Sequence, residues 1–505
     1  MQQARVLPDD EYNRALVANV HPPDWTNPTP SKRYNLVVIG AGTAGLISAA
    51  GAAGLGARVA LVERHLLGGD CLNVGCVPSK CVIRSARVLG DVQRAGALGV
   101  HIGGADIDFG AVMARMRRLR ARISANDSAE RYTKEKAVDV FLGDARFAGP
   151  DTIAVGGHTL RFARAVIATG ARAAGPPIPG LEEVGYLTNE TVFSLTERPP
   201  RLAVIGAGPI GCELAQAFQR LGCGVTLLND TPHILNREDA DAADIVQRAF
   251  VRDGVRLVLS AQVLSARRDG GDKVLRVRHA AGEEDVRVDE ILVGAGRAPN
   301  VDGLELDTVR VAYDAQRGVQ VDDHLRTTNP RIFAAGDVCM EWKFTHAADF
   351  AARIVIQNAL FFGRKRLSSL HMPWCTYTDP ELAHVGLSDH EAAARGLAVD
   401  TYVRPLAEVD RAIADGDEEG LVKVTTKRGT GEILGATIVA RHAGEMISEI
   451  TLAMVAKVGL GTLANVIHPY PTQADAIRQI GDLYNRTRLT PLVKRLFNGL
   501  LALRR

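Results

Sequence analysis

Charge of one sign is the first thing this chain lacks. Its 505 residues carry 60 Lys and Arg against 58 Asp and Glu, a formal net charge of +2 at pH 7. No electrostatic excess therefore draws it to a nucleic-acid backbone. Aromatic residues are sparse, at 5%, which leaves few platforms on which bases would stack. Cysteine is scarce as well, and seven in a chain of this length do not make the disulfide framework of a small secreted domain. The opening MQQARVLPDDEYNRAL is charged early and holds no apolar core of a secretory signal, so the chain is read as cytoplasmic. One uncharged stretch, Asn35 to Ala57, is long enough to span a bilayer. Much of it is Gly and Ala, and it starts with Leu36-Val37-Val38-Ile39, so it is read as a buried strand running into a turn and a helix. With 46% hydrophobic and 23% charged residues, the composition is that of a folded globular protein. Length alone predicts about three to four domains.

Glycine is what the chain has in quantity, 50 residues, and its placement organises the reading. Residues 1–33 form a polar, proline-containing arm with a single helical turn. From Tyr34, YNLVVIGAGTAGLISAAGAAGLGARVALVERH reads strand, glycine turn, Ala-rich helix, strand, acid, a βαβ unit of about 30 residues. A second copy starts at Arg201, RLAVIGAGPIGCELAQAFQRLGCGVTLLND. Further strand-to-glycine passages follow: AVIATGA (Ala165–Ala171), ILVGAGRAPN (Ile291–Asn300) and RIFAAGDV (Arg331–Val338). The expected architecture is α/β: two Rossmann-like dinucleotide-binding domains and a C-terminal α+β domain. The boundaries read as 34–190 and 301–370 for the first binding domain, 191–300 for the second and 371–490 for the C-terminal domain. A basic amphipathic tail, 491–505, closes the chain and is expected to dock on a dimer rather than to lie on a membrane.

In the first fingerprint Gly40 makes the tight turn, Gly42 lets backbone reach a pyrophosphate, and Gly45 lets helix and strand pack closely. Glu63 ends the next strand, placed for a ribose hydroxyl pair. Gly206, Gly208 and Gly211 repeat the device, but the following strand ends in Asn229 and Asp230. An acid at the first of these would favour NAD and an arginine NADP. Asn229 is neither, and Asp230 and Arg237 stand close enough in sequence to matter, so nucleotide choice stays open. Between the units lies GGDCLNVGCVPSK, in which Cys71 and Cys76 stand five positions apart just past the first ribose acid. Pro78 suits the first turn of a following helix, whose positive end favours thiolate over thiol. Such a pair attacks a disulfide or binds a soft metal. A structural zinc site would want four ligands at recognisable spacing, and no second pair exists.

That segment, both fingerprints, ATG, GRAPN and AAGDV stand in the order of the class I pyridine nucleotide–disulfide oxidoreductases, and residues 34–490 resemble that family. The resemblance implies FAD in the first site, on Gly40, Gly42, Gly45 and Glu63, with Thr169, Gly170, Gly336 and Asp337 also touching it. It implies NAD(P)H in the second, on Gly206, Gly208, Gly211, Asn229 and Gly296. It implies Cys76 beside the flavin, Cys71 as the interchange thiol, Lys80 near flavin N5 with Glu213 as its carboxylate, and a homodimer sharing its active site across the interface. Asp70 stands where threonine is commoner. Disulfide-reducing members carry HPT…E near the C-terminus, whereas this chain reads His468-Pro469-Tyr470-Pro471-Thr472-Gln473-Ala474-Asp475. Aligned on Pro471-Thr472, the base position is Tyr470 and the partner acid Asp475, with His468 two residues early. Tyrosine here is similar to mercuric reductase, although no cysteine follows Cys375 to form that enzyme's C-terminal pair. The expectation is therefore a thiol-reactive, mercuric-reductase-like acceptor. The alternatives are a small-disulfide or dihydrolipoamide-dehydrogenase-like enzyme and, in another class, a flavin electron-transfer or quinone-reducing protein. Cys81 reads as packing or as a third soft ligand, and His346 as a packing residue or a neighbour of the isoalloxazine.

Overall fold

A computed structural model describes residues 5–505. The run Tyr34–Ile39 is the central strand of the first sheet, pairing in parallel with Val59–Glu63 on one side and His158–Ile167 on the other. Leu36, Val37 and Val38 have no exposed surface, as expected of a parallel strand covered by helices on both faces. Val138–Leu142 continues the sheet beyond Val59–Glu63, and Ile332–Ala334 pairs with the far side of His158–Ile167. The chain therefore leaves this sheet after Ile167 and returns to it more than 150 residues later, bringing AAGDV to the end of the strand that leads into ATG. The second sheet is also parallel, in the order Arg256–Val258, Gly224–Leu228, Arg201–Ile205, Glu290–Val293. A three-stranded antiparallel meander, Gln262–Asp269, Asp272–His279 and Gly282–Val288, is inserted before its last strand. The C-terminal part is a five-stranded antiparallel sheet running from Pro373–Thr376 through Glu381–Gly386, Ile433–Ala440 and Leu421–Lys427 to Val399–Pro405. The helices Ala443–Val455 and Asp475–Thr487 pack on it.

The N-terminal arm is more than the single turn expected of it. Glu11–Val20 is a ten-residue helix, capped by Asp10, whose Oδ1 accepts from the Asn13 amide at 2.8 Å. Leu16 and Val20 are buried, and Arg120 of helix Phe109–Ser124 donates to Asn13 Oδ1 and to the carbonyl of Asn73, both at 2.6 Å. Asn27 then takes both backbone groups of Leu142, donating to its carbonyl and accepting from its amide. The arm thus covers the open edge of the first sheet and is tied to the redox loop through Arg120. Its short polar sequence hid this, because ion pairs and amide brackets hold the arm as much as its few apolar side chains do.

Helix Cys76–Arg94 crosses helix Pro209–Arg220, and this crossing joins the two nucleotide-binding units. Gly90 has no side chain where the Arg220 guanidinium lies; a β-carbon there would stand 2.6 Å from its Nη1. Arg220 is buried and paired with Asp253 at 2.9 Å and Asp379 at 2.7 Å. Asp253 belongs, like Arg220, to the second unit and Asp379 to the C-terminal part, so the guanidinium ties these two together while Gly90 of the first unit packs against it.

Candidate active site

The two fingerprints fold as their spacing predicts. Gly40 sits at φ +98, and a β-carbon on it would lie 2.4 Å from the Ala168 carbonyl oxygen, so only glycine allows the turn. At Gly208 the reason differs: a β-carbon would meet no protein atom within 4 Å. The space beside it is free for a ligand at the N-terminus of helix Pro209–Arg220. Glu63 is half-buried at the strand end, accepting from the Ala41 amide at 2.7 Å and the His65 amide at 2.8 Å. Burial raises its carboxyl above the ordinary range, while those two amides pull it back. The ATG and GRAPN passages close on each other. Thr169 Oγ1 donates to the Asn300 carbonyl at 2.7 Å, Asn300 Nδ2 donates to the Thr169 carbonyl at 2.9 Å, and the Asn300 amide donates to Gly170 O.

Asp70, the departure from threonine, has a partner that lies 227 positions away in the chain. Arg297, the residue after Gly296, donates to Asp70 and to the Ala171 carbonyl. Its Nε is 3.5 Å from Asp337 and makes no hydrogen bond, a buried donor left open. Burial lifts the Asp337 carboxyl, and Arg297 and Lys343 oppose the lift. Asp70, Arg297 and Asp337 therefore form a half-buried charged wall at the mouth of the first site. The glycine cradle, the acid at the strand end and the unspent donor beside Asp337 together fit a dinucleotide with a polar chain leading toward the cysteines.

Cys71 lies in helix Gly69–Asn73 and Cys76 at the start of helix Cys76–Arg94. Cys76 is the activated thiol. A hydrogen bond from Cys71, with help from Thr345 and Lys80, pulls it down to about 6 against the opposing effect of burial. The same hydrogen bond, together with burial, pushes Cys71 up. Thr345 Oγ1 lies 3.4 Å from Cys76 Sγ. One turn along the helix, Lys80 Nζ donates to Glu213 Oε2 at 2.7 Å, while Glu213 Oε1 accepts from the Tyr377 amide at 3.0 Å. The Lys80 ammonium also lies 4.5 Å from the centre of the Tyr377 ring. Cys76, Lys80, Cys81, Arg84 and Arg115 line an open cavity of about 380 Å³. Cys81 packs its side chain against the second core and accepts from Arg115 only through its carbonyl. His346 is held by the Pro373 carbonyl at 2.6 Å. Among the described residues no three His, Cys, Asp or Glu side chains are grouped as metal ligands.

Sequence reasoning missed Arg297, Thr345 and Tyr377. Arg297 stood in plain view inside GRAPN, but nothing local linked it to Asp70. In the second site Asn229 turns inward: its Oδ1 accepts from Ala207 N at 3.1 Å and its Nδ2 donates to the His233 carbonyl at 3.0 Å. Asp230 and Arg237 both face solvent.

The C-terminal candidates lie apart from the cysteines within one chain. The Tyr470 side chain is 74% exposed and its hydroxyl donates to Asp410 at 3.0 Å; that bond holds the phenol proton and raises its pKa. His468 is turned in, its side chain 6% exposed, with Nε2 on Glu449 at 3.0 Å and Nδ1 at the Val466 carbonyl. Asp475 hydrogen-bonds Arg478 and Gln479, which keep its carboxyl low. The carboxylate partner of His468 is thus Glu449, while Asp475 makes no hydrogen bond to either His468 or Tyr470.

Comparison with known proteins agrees with this geometry. The pyridine nucleotide-disulphide oxidoreductase family matches residues 34–352, and its dimerisation domain matches residues 372–480. The chain is 32% identical over 445 residues to a mercuric reductase of Bacillus cereus, covering 88% of this chain and 70% of that one. It is 32% identical over 451 residues to a dihydrolipoyl dehydrogenase of Chlamydia muridarum (strain MoPn / Nigg), covering 88% of this chain and 95% of the other. Among solved structures, the HOCl-induced flavoprotein disulfide reductase RclA of Escherichia coli superposes with a TM-score of 0.80 at 27% identity, covering 89% of this chain and 100% of that one. The chain belongs to the pyridine nucleotide-disulphide oxidoreductase family. It is an enzyme of that class, using FAD and NAD(P)H.

Two outcomes are expected from this site. When the enzyme takes up two electrons, a Cys76 thiolate beside FAD should give a long-wavelength absorption band. Because the Cys76 pKa is lowered, the band is present above about pH 6 and fades as pH falls through that value. Cys76→Ser removes the band and Cys71→Ser keeps it; identical spectra for the two variants would contradict the assignment. For the nucleotide, with the Asn229 amide occupied, kcat/KM for NADH and NADPH should differ by less than about tenfold, roughly 1.4 kcal/mol. Steady-state kinetics with each nucleotide read this directly, and a strong preference would show Asp230 or Arg237 reading the 2′ position.

Proposed function

We propose that this enzyme passes two electrons from NAD(P)H through the Cys71–Cys76 pair to a thiol-reactive acceptor, and that a soft metal ion such as Hg²⁺ suits it better than a small disulfide. The observation that carries this is the outward-facing phenol at Tyr470, with His468 turned in on Glu449. The family's dimerisation domain supports a homodimer in which Tyr470 of the partner subunit meets Cys71. FAD, when bound, supplies the two-electron relay between nicotinamide and disulfide. The chain's own residues do the rest. Gly40, Gly42, Gly45, Glu63, Asp337 and Arg297 hold and orient the dinucleotide, while Lys80, fixed by Glu213, puts a cation where negative charge develops. Cys76 stays as thiolate near neutral pH, and Cys71, the more basic sulfur, meets the acceptor.

Reducing a disulfide releases a thiolate that needs a proton near pH 7. A phenol with an ordinary pKa of about 10 gives that proton poorly compared with a histidine near 6.5. Tyr470, hydrogen-bonded to Asp410, is poorer still. A soft cation has no leaving group to protonate and binds thiolates directly. The overall change is Hg²⁺ + NAD(P)H → Hg⁰ + NAD(P)⁺ + H⁺. The His468–Glu449 contact has the make-up of an acid/base pair and favours small-disulfide reduction as a second reading. Mercury-dependent NAD(P)H oxidation should be measurable but slow, because residues 376–505 hold no cysteine to hand the ion inward. Lipoamide and glutathione disulfide should turn over poorly, and Tyr470→His should raise their turnover. Rapid reduction of either disulfide by the unmodified enzyme, lost in His468→Asn, would overturn this reading in favour of the second.

A further inference from the structure

The last element is the helix Pro491–Ala502, started by Thr490, whose Oγ1 accepts from the Val493 amide. At 3.6 residues per turn, Leu492, Val493, Leu496, Phe497 and Leu500 fall on one face. Lys494, Arg495 and Asn498 fall on the other. The apolar face has no partner among the described residues. No residue of the helix is buried, and Leu492 is 75% exposed, Leu496 62%, Phe497 48% and Leu500 51%. Charge points one way as well. From Asn485 onward the chain has Arg486, Arg488, Lys494, Arg495, Arg504 and Arg505 and no acidic residue, although the whole protein is nearly balanced. At about 1.5 Å per residue the helix is about 18 Å long, too short to cross a bilayer, and among the described residues no helix is long and apolar enough to span one.

We propose that this helix is a docking element for an anionic membrane surface, lying in the interface plane with its Leu/Phe face among the acyl chains and its Lys and Arg among the headgroups. Two observations favour lipid over a second copy of the chain as the occupant. The family's dimerisation domain matches residues 372–480, a span that does not include the helix. The segment also has only positive charge, which complements a uniformly negative bilayer surface. Docking of the tail on the dimer is the competing occupant, which the oligomeric state below distinguishes. The proposal is independent of the acceptor: it sets where the enzyme works, not what it reduces.

Co-sedimentation of the full-length holoenzyme with vesicles tests this. Vesicles containing phosphatidylglycerol and phosphatidylcholine should bind the protein roughly tenfold more than phosphatidylcholine alone at low salt. Raising the salt to about 0.5 M should weaken that binding by screening. Phe497→Asp and the pair Lys494→Glu, Arg495→Glu should each abolish it, with NAD(P)H oxidation and oligomeric size unchanged. The proposal is overturned if the unmodified protein stays in the supernatant at low salt, or binds both lipid compositions equally. It is also overturned if Phe497→Asp turns dimers into monomers, which would make the helix a subunit contact.

Discussion

Glu213 is a carboxylate taken almost wholly out of water, its side chain 7% exposed, at the point where three parts of the chain meet. A charge in that position is costly unless each oxygen finds a donor. One oxygen takes the Lys80 ammonium from the helix that begins at Cys76, and the other takes the backbone amide of Tyr377 from the C-terminal part. The helix carrying Glu213 is the one that opens at the second glycine fingerprint. Rotating any of the three parts would strand a buried charge. Because Lys80 stands one helical turn after Cys76, fixing its head group also fixes the thiol relative to both nucleotide sites. Arg220 repeats the arrangement deeper in the same crossing with the opposite sign, a cation held by Asp253 and Asp379.

Around this crossing the charged groups divide the labour of the first site. Arg297 draws Asp70 and Asp337 to one guanidinium, so the aspartate at position 70 shares its countercharge with Asp337. Thr345 and Lys80 act on Cys76, and hydrogen bonding between the two thiols then separates their acidities. One sulfur is stabilised as thiolate and the other is left basic, the asymmetry that a relay between a reductant and a thiol-reactive acceptor requires.

What the sequence made legible follows contact range. The glycine turns, their helices and the strand-end acid Glu63 lie within one βαβ unit, and periodicity plus turn chemistry suffices for them. Lys80 and Glu213 are 133 positions apart and were paired only through resemblance to a family. The Asp70–Arg297 contact, spanning 227 positions, left no local trace, because each residue is unremarkable in its own loop. The N-terminal arm was underread for a related reason. Its helix is held by Arg120 reaching Asn13 and by Asn27 bracketing Leu142, contacts that no hydrophobic period announces. At the C-terminus the sequence presented both His468 and Tyr470 as candidates. Only the fold separates them, by burying one against Glu449 and exposing the other.

On the proposed path, electrons from NAD(P)H reside on Cys71 and Cys76 before they reach any acceptor. Counting reactive thiols measures this directly: the FAD-loaded oxidised enzyme is treated anaerobically with NAD(P)H and titrated with an aromatic disulfide reagent. Two thiols beyond those of the oxidised enzyme are predicted, with no gain in Cys71→Ser. Consumption of NAD(P)H with no new thiols in the unmodified enzyme would contradict the claim and leave the cysteines outside the path of the electrons.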